Sequence, residues 1–229
     1  MNKKNKKRLI IGLILSVILP ILAYLLRGVF AFIFFFMSMD SSSKDDLVKN
    51  YQLNETAIFE LKRSYDNIVP DGFKIYIEFK DKNSIDFWVY EKADSTSKEM
   101  ICLFQQWDIN PYDYVMKPLT KFDSSEYAPR TKDLDLIKVK LKWTDDTFKK
   151  IKKNLDKANC ISIENGDPTD VGFARSGMGK YFYYLFKRTI PENEINNWND
   201  SCFYIYYKPK VVLGYAGGTI GTQCFPDPD

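Results

Sequence analysis

Histidine is absent from this chain. That removes the Ser-His-Asp and Cys-His nucleophilic arrangements, and every zinc or non-haem iron site built on imidazole. Cysteine is scarce, four in 229 residues, and no two stand in C-x-x-C spacing, which argues against a dithiol redox centre or a zinc knuckle. A complete phosphate-binding motif is also missing. Residues 175–180 (RSGMGK) hold two glycines and a lysine, but Walker A needs four residues between its glycines and Ser or Thr after the lysine. Strands are expected on both sides, with no helix N-terminus to receive an anion, so the segment reads as a glycine turn. The second glycine cluster, Gly214 to Gly221, follows a strand and precedes no helix. It reads as a C-terminal turn packed on the sheet, with an anion-binding nest as the alternative. Glu164, Asp167 and Asp170 could offer oxygens to calcium, but their spacing is not that of an EF-hand, and a solvated loop is the preferred reading. No catalytic, cofactor-binding or metal-ligating residue is therefore assigned, no cofactor is expected, and the expectation is a protein that is not an enzyme.

Acidic residues are missing from the first 39 positions, which carry Lys3, Lys4, Lys6, Lys7, Arg8 and Arg27. Removing those six from the 33 bases leaves 27 against 30 acids, so the remainder has a net charge of −3. A nucleic-acid binder shows a basic footprint on its domain, and no nucleic-acid partner is expected here. Behind the basic tail runs an apolar segment, residues 9–26, continued after Arg27 to Met39. Eighteen residues of helix span ~27 Å, close to the ~30 Å hydrocarbon core of a bilayer. The expectation is one membrane-spanning signal anchor over 9–39, with Arg27 snorkelling to an interface and Pro20 at a kink. The alternative is a cleaved signal peptide, for which Val29-Phe30-Ala31 offers a site. More apolar residues follow that site, which favours the anchor. The positive-inside rule puts the tail, 1–8, in the cytoplasm and the rest outside, periplasmic or extracellular.

Residues 40–46 read as a polar linker, and 47–229 as one α+β domain. Leu47, Val48 and Tyr51 share a helix face; Asn54 reads as the N-cap of a second stretch with Ile58, Leu61, Tyr65 and Ile68 at helical spacing. Pro70-Asp71-Gly72 is a turn signal. Strict alternation in 73–79 and 85–90 predicts a hairpin with one face on the core, and a third strand follows at 100–107. Residues 110–130 read as a long irregular connection. Residues 137–143 alternate as a strand would, while Leu134, Ile137 and Leu141 fit a helix face, and both readings stay open. Thr144 caps a helix to about Lys157, with Phe148, Ile151 and Leu155 as its apolar stripe. Strands are expected at 160–163, 171–174, 181–186, 202–207 and 211–215, with a short helix around 192–198. The doubly apolar 181–186 (YFYYLF) suggests a central strand covered on both sides. The sum is an α+β fold, a mostly antiparallel sheet packed with helices behind an N-terminal transmembrane helix.

An even cysteine count in an oxidising compartment allows one or two disulfides among Cys102, Cys160, Cys202 and Cys224. Cys202–Cys224 is the preferred pair, since a hairpin and a return segment lie between them, with four free thiols as the alternative.

Residues 159–186 (NCISIENGDPTDVGFARSGMGKYFYYLF), 199–207 (NDSCFYIYY), 211–218 (VVLGYAGG) and 223–227 (QCFPD) resemble the C-terminal part of an uncharacterised family of membrane-anchored or lipid-anchored bacterial envelope proteins. Residues 46–51 (DLVKNY) and 68–79 (IVPDGFKIYIEF) fit its N-terminal part, whereas 110–132 has no counterpart. The resemblance implies export and a single domain. It carries over no site residue, because no activity is assigned to the family. The functional expectation is a binding or structural module of the envelope, held by the bilayer and meeting a protein partner, with aromatics suited to an interface. The alternatives are a tethered immunity protein against an envelope-acting toxin and a carboxylate-dependent hydrolase.

Overall fold

The chain divides into two compact units, Met1–Ser41 and Ser42–Asp229. The computed structural model describes residues 20, 24, 26–30, 42–94, 99–116, 128–218 and 224–225. Most of the expected anchor lies outside the described residues. Positions 20, 24 and 26–30 are helical, and among the described residues no helix is long and apolar enough to cross a membrane.

Helix α1 (Lys44–Ile68) opens the second unit. Ser43 starts it with a capping box: its hydroxyl accepts from the Asp46 N–H while the Asp46 carboxylate accepts from the Ser43 N–H. The helix therefore begins inside the stretch expected to be linker. At Asn54, expected as the N-cap of a second stretch, two helical stretches meet across a kink, and the residue has non-helical φ −122° and ψ 16°. Its side chain donates back to Asn50 Oδ1, a local bond that competes with regular helix geometry.

The strands are β1 (Phe73–Phe79), β2 (Ile85–Lys92), β3 (Met100–Ile109), β4 (Ser162–Glu164), β5 (Thr169–Ser176), β6 (Gly179–Leu185), β7 (Tyr204–Lys208) and β8 (Val211–Ala216). They form one sheet in the order β3-β2-β1-β4-β5-β6-β8-β7, antiparallel at every pairing. Helices α2 (Leu134–Leu141) and α3 (Asp145–Ala158) precede β4, and a 3-10 helix (Glu192–Trp198) precedes β7. The open reading of 137–143 resolves as helix. Asp133 caps α2 by accepting from the N–H groups of Asp135 and Leu136, and Lys142 closes it in the left-handed conformation. Leu134, Ile137 and Leu141 form its buried stripe.

One face of the sheet carries the core. Ile75, Ile77, Ile85, Phe87, Val89, Ile163, Val171, Tyr183 and Leu213 point into it, and α1 and α3 supply Leu47, Tyr51, Ile58, Leu61, Tyr65, Phe148, Ile151 and Leu155. Polar side chains in this core are satisfied. Tyr183 donates to Leu47 O, Asn50 donates to Ala158 O and to Tyr183 Oη, and Tyr65 donates to Ile75 O. Cys202 and Cys224 are joined in a disulfide, the preferred pair; Cys102 and Cys160 are free.

Candidate functional site

Strand alternation that sends Ile75, Ile77 and Phe79 into the core sends Lys74, Tyr76 and Glu78 to the opposite face. The register extends this across the sheet in one row: Gln105, Trp88, Tyr76, Glu164, Asp170, Tyr184, Val212, Tyr206. The neighbouring row holds Asp86, Glu78, Ser162, Gly172, Phe182, Gly214 and Tyr204. This second face is aromatic at both ends and charged in the middle.

At one end, the Tyr76 and Trp88 ring centroids lie 4.5 Å apart, and Trp107 meets Trp88 edge-on at 6.0 Å. Trp107 is half exposed, whereas Trp88 Nε1 is buried and has no hydrogen-bond partner among the described residues. A buried donor left unpaired costs about 1–3 kcal/mol. At the other end, Tyr184 contacts Phe182, Trp198 and Tyr204 at 5.5–6.1 Å. Its ring lies over Gly214, where a Cβ would sit 2.2 Å from it; any other residue there would push the ring off the sheet. Strand β6 is internal to the sheet, as expected. Its second face is covered by the rings of Trp198, from the 3-10 helix, and of Tyr204.

A charged seam joins the two patches. Glu78 is 1% exposed and accepts from Lys180 Nζ at 2.6 Å, from Arg175 Nη2 at 2.6 Å and from the Tyr76 hydroxyl. Lys180 also donates to Tyr76 Oη, and its ammonium stands 5.2 Å from both the Tyr76 and Phe182 rings. Burial raises the Glu78 carboxyl, but the Lys180 and Arg175 cations and the Tyr76 hydroxyl outweigh it and hold the group below the usual carboxylate range. Burial likewise pulls the Lys180 ammonium down, against the support of Glu78.

Above this seam, Glu164 and Asp170 face each other across β4 and β5. Residues in register have Cβ atoms ~4.5–5.5 Å apart, so two like charges would be forced together. Lys74 binds Glu164 at 2.5 Å. Burial, and secondarily the Glu164 charge, push the Asp170 carboxyl up to about 7. The pair opens into a cleft of about 630 Å³, lined also by Asp66, Pro70, Lys74 and Asp167. The expectation of a solvated acidic loop thus holds for Asp167 alone, because Glu164 and Asp170 are strand residues. Among the described residues no group of three or more Cys, Asp or Glu side chains is placed to hold a metal ion.

The remaining sequence candidates fall elsewhere. Residues 175–180 form the β5–β6 hairpin, with Gly177 at φ +55° in its turn. Gly214 is a strand residue and Gly218 a left-handed turn residue; positions 219–221 lie outside the described residues. Burial pushes both free thiols above the usual range, that of Cys160 the further, so neither is primed as a thiolate.

The sheet edges are blunted. Arg130 and Thr131 donate their N–H groups to Cys102 O and Leu103 O on β3. Asp200 accepts from the N–H groups of Cys202, Phe203 and Tyr204, and Asn199 from that of Tyr206, along β7. Such contacts disfavour strand addition at the edges, whereas the second face carries the half-exposed Trp107 beside the Tyr76–Trp88 pair. Sequence reading passed over it. The available signal was the identity of the outward residues, Tyr76, Trp88 and Tyr90, where a solvated face would carry small polar or charged side chains.

The chain matches no protein-family model, no curated protein and no solved structure.

Proposed function

We propose that this protein is a single-pass module of the bacterial envelope, held by residues 9–39 with the tail 1–8 in the cytoplasm and the α+β domain outside. There the domain binds a protein partner through the second face of its sheet. The observation that carries the reading is that face: two aromatic patches, an unpaired Trp88 N–H and a half-exposed Trp107, on a sheet whose edges are blunted. Aromatics and Arg are the side chains that concentrate binding energy at interfaces. The disulfide supports an oxidising compartment, and the basic tail ahead of an apolar run supports the orientation. Protease added to intact spheroplasts tests the placement. Loss of the C-terminal domain is the expected result, and full protection would refute it.

One observation favours a second reading, a carboxylate-dependent hydrolase. Burial pushes the Asp170 carboxyl up to about 7 in an open cleft, with the Glu164 side chain in register opposite it, so a proton donor and a second carboxyl group stand together at an accessible site. A glycan or peptide hydrolysis assay on the purified protein, with Asp170→Asn as the control, tests it.

A further inference from the structure

The eight strands form two blocks that meet through one short strand. Strands β1, β2 and β3 lie on one side and β5, β6, β8 and β7 on the other, with β4 between them. Strand β4 has three residues, Ser162, Ile163 and Glu164, each paired with β1 on one side and with β5 on the other. The aromatic patches divide in the same way. Tyr76, Trp88 and Trp107 belong to the first block, and Tyr184 and Tyr204 to the second, with Trp198 packed on both of these rings.

On the covered face α1 ties the blocks together: Tyr65 Oη donates to Ile75 O on β1, and Lys62 Nζ to Thr169 Oγ1 on β5. On the second face the two ends of β4 differ. At the Ser162 end, Glu78 of β1 reaches past β4 to Arg175 of β5 and Lys180 of β6. Gly172 makes room for this clamp, since a Cβ there would sit 2.3 Å from Lys180 Cε. At the Glu164 end the cross-strand neighbour is Asp170, a carboxyl opposite a carboxyl. Lys74 from β1 and Lys180 from β6 attract the Asp170 charge, but each is already engaged, with Glu164 at 2.5 Å and with Glu78 at 2.6 Å. Tyr184 faces Asp170 from β6, and Asp66 of α1, Asp71, Lys92 of β2, Asp167 and Lys187 stand around the cleft that opens here. Beyond Glu164, the Asn165 side chain prolongs the β1 pairing, accepting from the Ile75 N–H at 2.6 Å and donating to Phe73 O at 2.9 Å. Like charges directly opposite each other destabilise a strand pair, and a strand of three residues offers few ladder bonds to resist them.

We infer that the Glu164 end of β4 is a proton-controlled joint of the sheet, which sets whether the two aromatic patches act as one surface. With Asp170 protonated, β4 closes on β5 and the patches are held in one register. Once Asp170 ionises, its repulsion from Glu164 opens the β4–β5 pairing at this end, and the patches move apart about the Glu78 clamp. The joint regulates the contact face proposed above and rests on that reading: a partner that spans both patches binds more tightly on the acidic side of neutrality. Burial, and after it the Glu164 charge, push the folded carboxyl up to about 7, above the unfolded value of about 3.9, so closure binds a proton. Closure is therefore favoured below that window, weakens as pH rises through it, and has lost the whole contribution above about 7.

Amide hydrogen exchange of the full chain in detergent micelles tests the joint without any partner. Exchange is read at about pH 6 and about pH 8.5, with labelling times scaled to the intrinsic rate at each pH. Protection of residues 161–165 and of the Ile75 amide should fall about tenfold over that interval, because the closed state gives up its proton near 7 while the open state is already ionised. Residues 204–216 of the β7–β8 hairpin should keep their protection, and Asp170→Asn should abolish the loss at β4. Unchanged protection at 161–165, an equal loss at 204–216, or the same loss in Asp170→Asn overturns the joint. Any of these leaves the contact reading standing, since crosslinking to a partner decides that; a face that captures no partner removes the regulation of binding even where the exchange contrast is seen.

Discussion

The two faces of the sheet are built from the same strands and obey different rules. On the helix-covered face, Ile75, Ile77, Phe87 and Val89 are fully buried against α1 and α3, and the polar groups that intrude are each bonded. On the other face, the residues one step along, Lys74, Tyr76, Glu78, Asp86 and Trp88, are held by charge pairs and ring contacts, and one N–H is left without a partner. The first face derives its stability from apolar burial, about 25 cal/mol per Å². The second trades part of that stability for specific groups: a buried carboxylate between two cations, a carboxyl that keeps its proton, and a half-exposed tryptophan. Departures from local consistency of this kind are expected at functional or strained sites.

Substitutions should separate the faces by size and by character. Phe87→Ala strikes the covered face where Phe104, Trp143 and Phe148 surround the ring at 5.5–5.7 Å, and should cost about 4 kcal/mol in urea unfolding. On the open face, Glu78→Gln leaves Lys180 buried without its anion and should cost about 3 kcal/mol. Lys180→Met in the same chain should return part of that loss. A double-mutant cycle showing no coupling would mean the seam is not an ion cluster.

Asp170→Asn should act in the opposite direction, and only in a stated pH range. The folded carboxyl titrates near 7 and the unfolded one near 3.9, so the folded state binds more protons between those values. Stability therefore falls as pH rises through that window, and the penalty is complete above about 7. The variant should gain about 4 kcal/mol at pH 8 and almost nothing at pH 4; a gain independent of pH would contradict the assignment. Smallest in stability is Trp107→Ala, below about 0.5 kcal/mol because the ring is half in water. It should nevertheless weaken partner capture more than any of the other three.

The covered face was the legible one. Alternation in 73–79 and 85–90 and the stripe of Phe148, Ile151 and Leu155 behind Thr144 translate directly into β1, β2 and α3. Segment 137–143 stayed ambiguous because Lys138, Lys140 and Lys142 fall between apolar residues in both periods; the caps at Asp133 and Lys142 decide it. The candidate site was hidden for a physical reason. Glu164 and Asp170 sit six residues apart in a stretch of Asn, Gly, Asp and Pro that reads as a loop, and only the β4–β5 pairing sets the two carboxyls opposite each other. Joining Glu78 to Lys180 takes a contact across 102 residues, which no local pattern announces.

The claim that the open face is the contact surface is tested most directly by photo-crosslinking from single positions in native membranes. A photoreactive residue is placed at Trp107 or Tyr206 on the open face, or at Leu136 or Lys150 on the helical side. Adducts to a common partner from 107 and 206, and none from 136 and 150, are the expected result. Adducts arising from the helical side instead would contradict it.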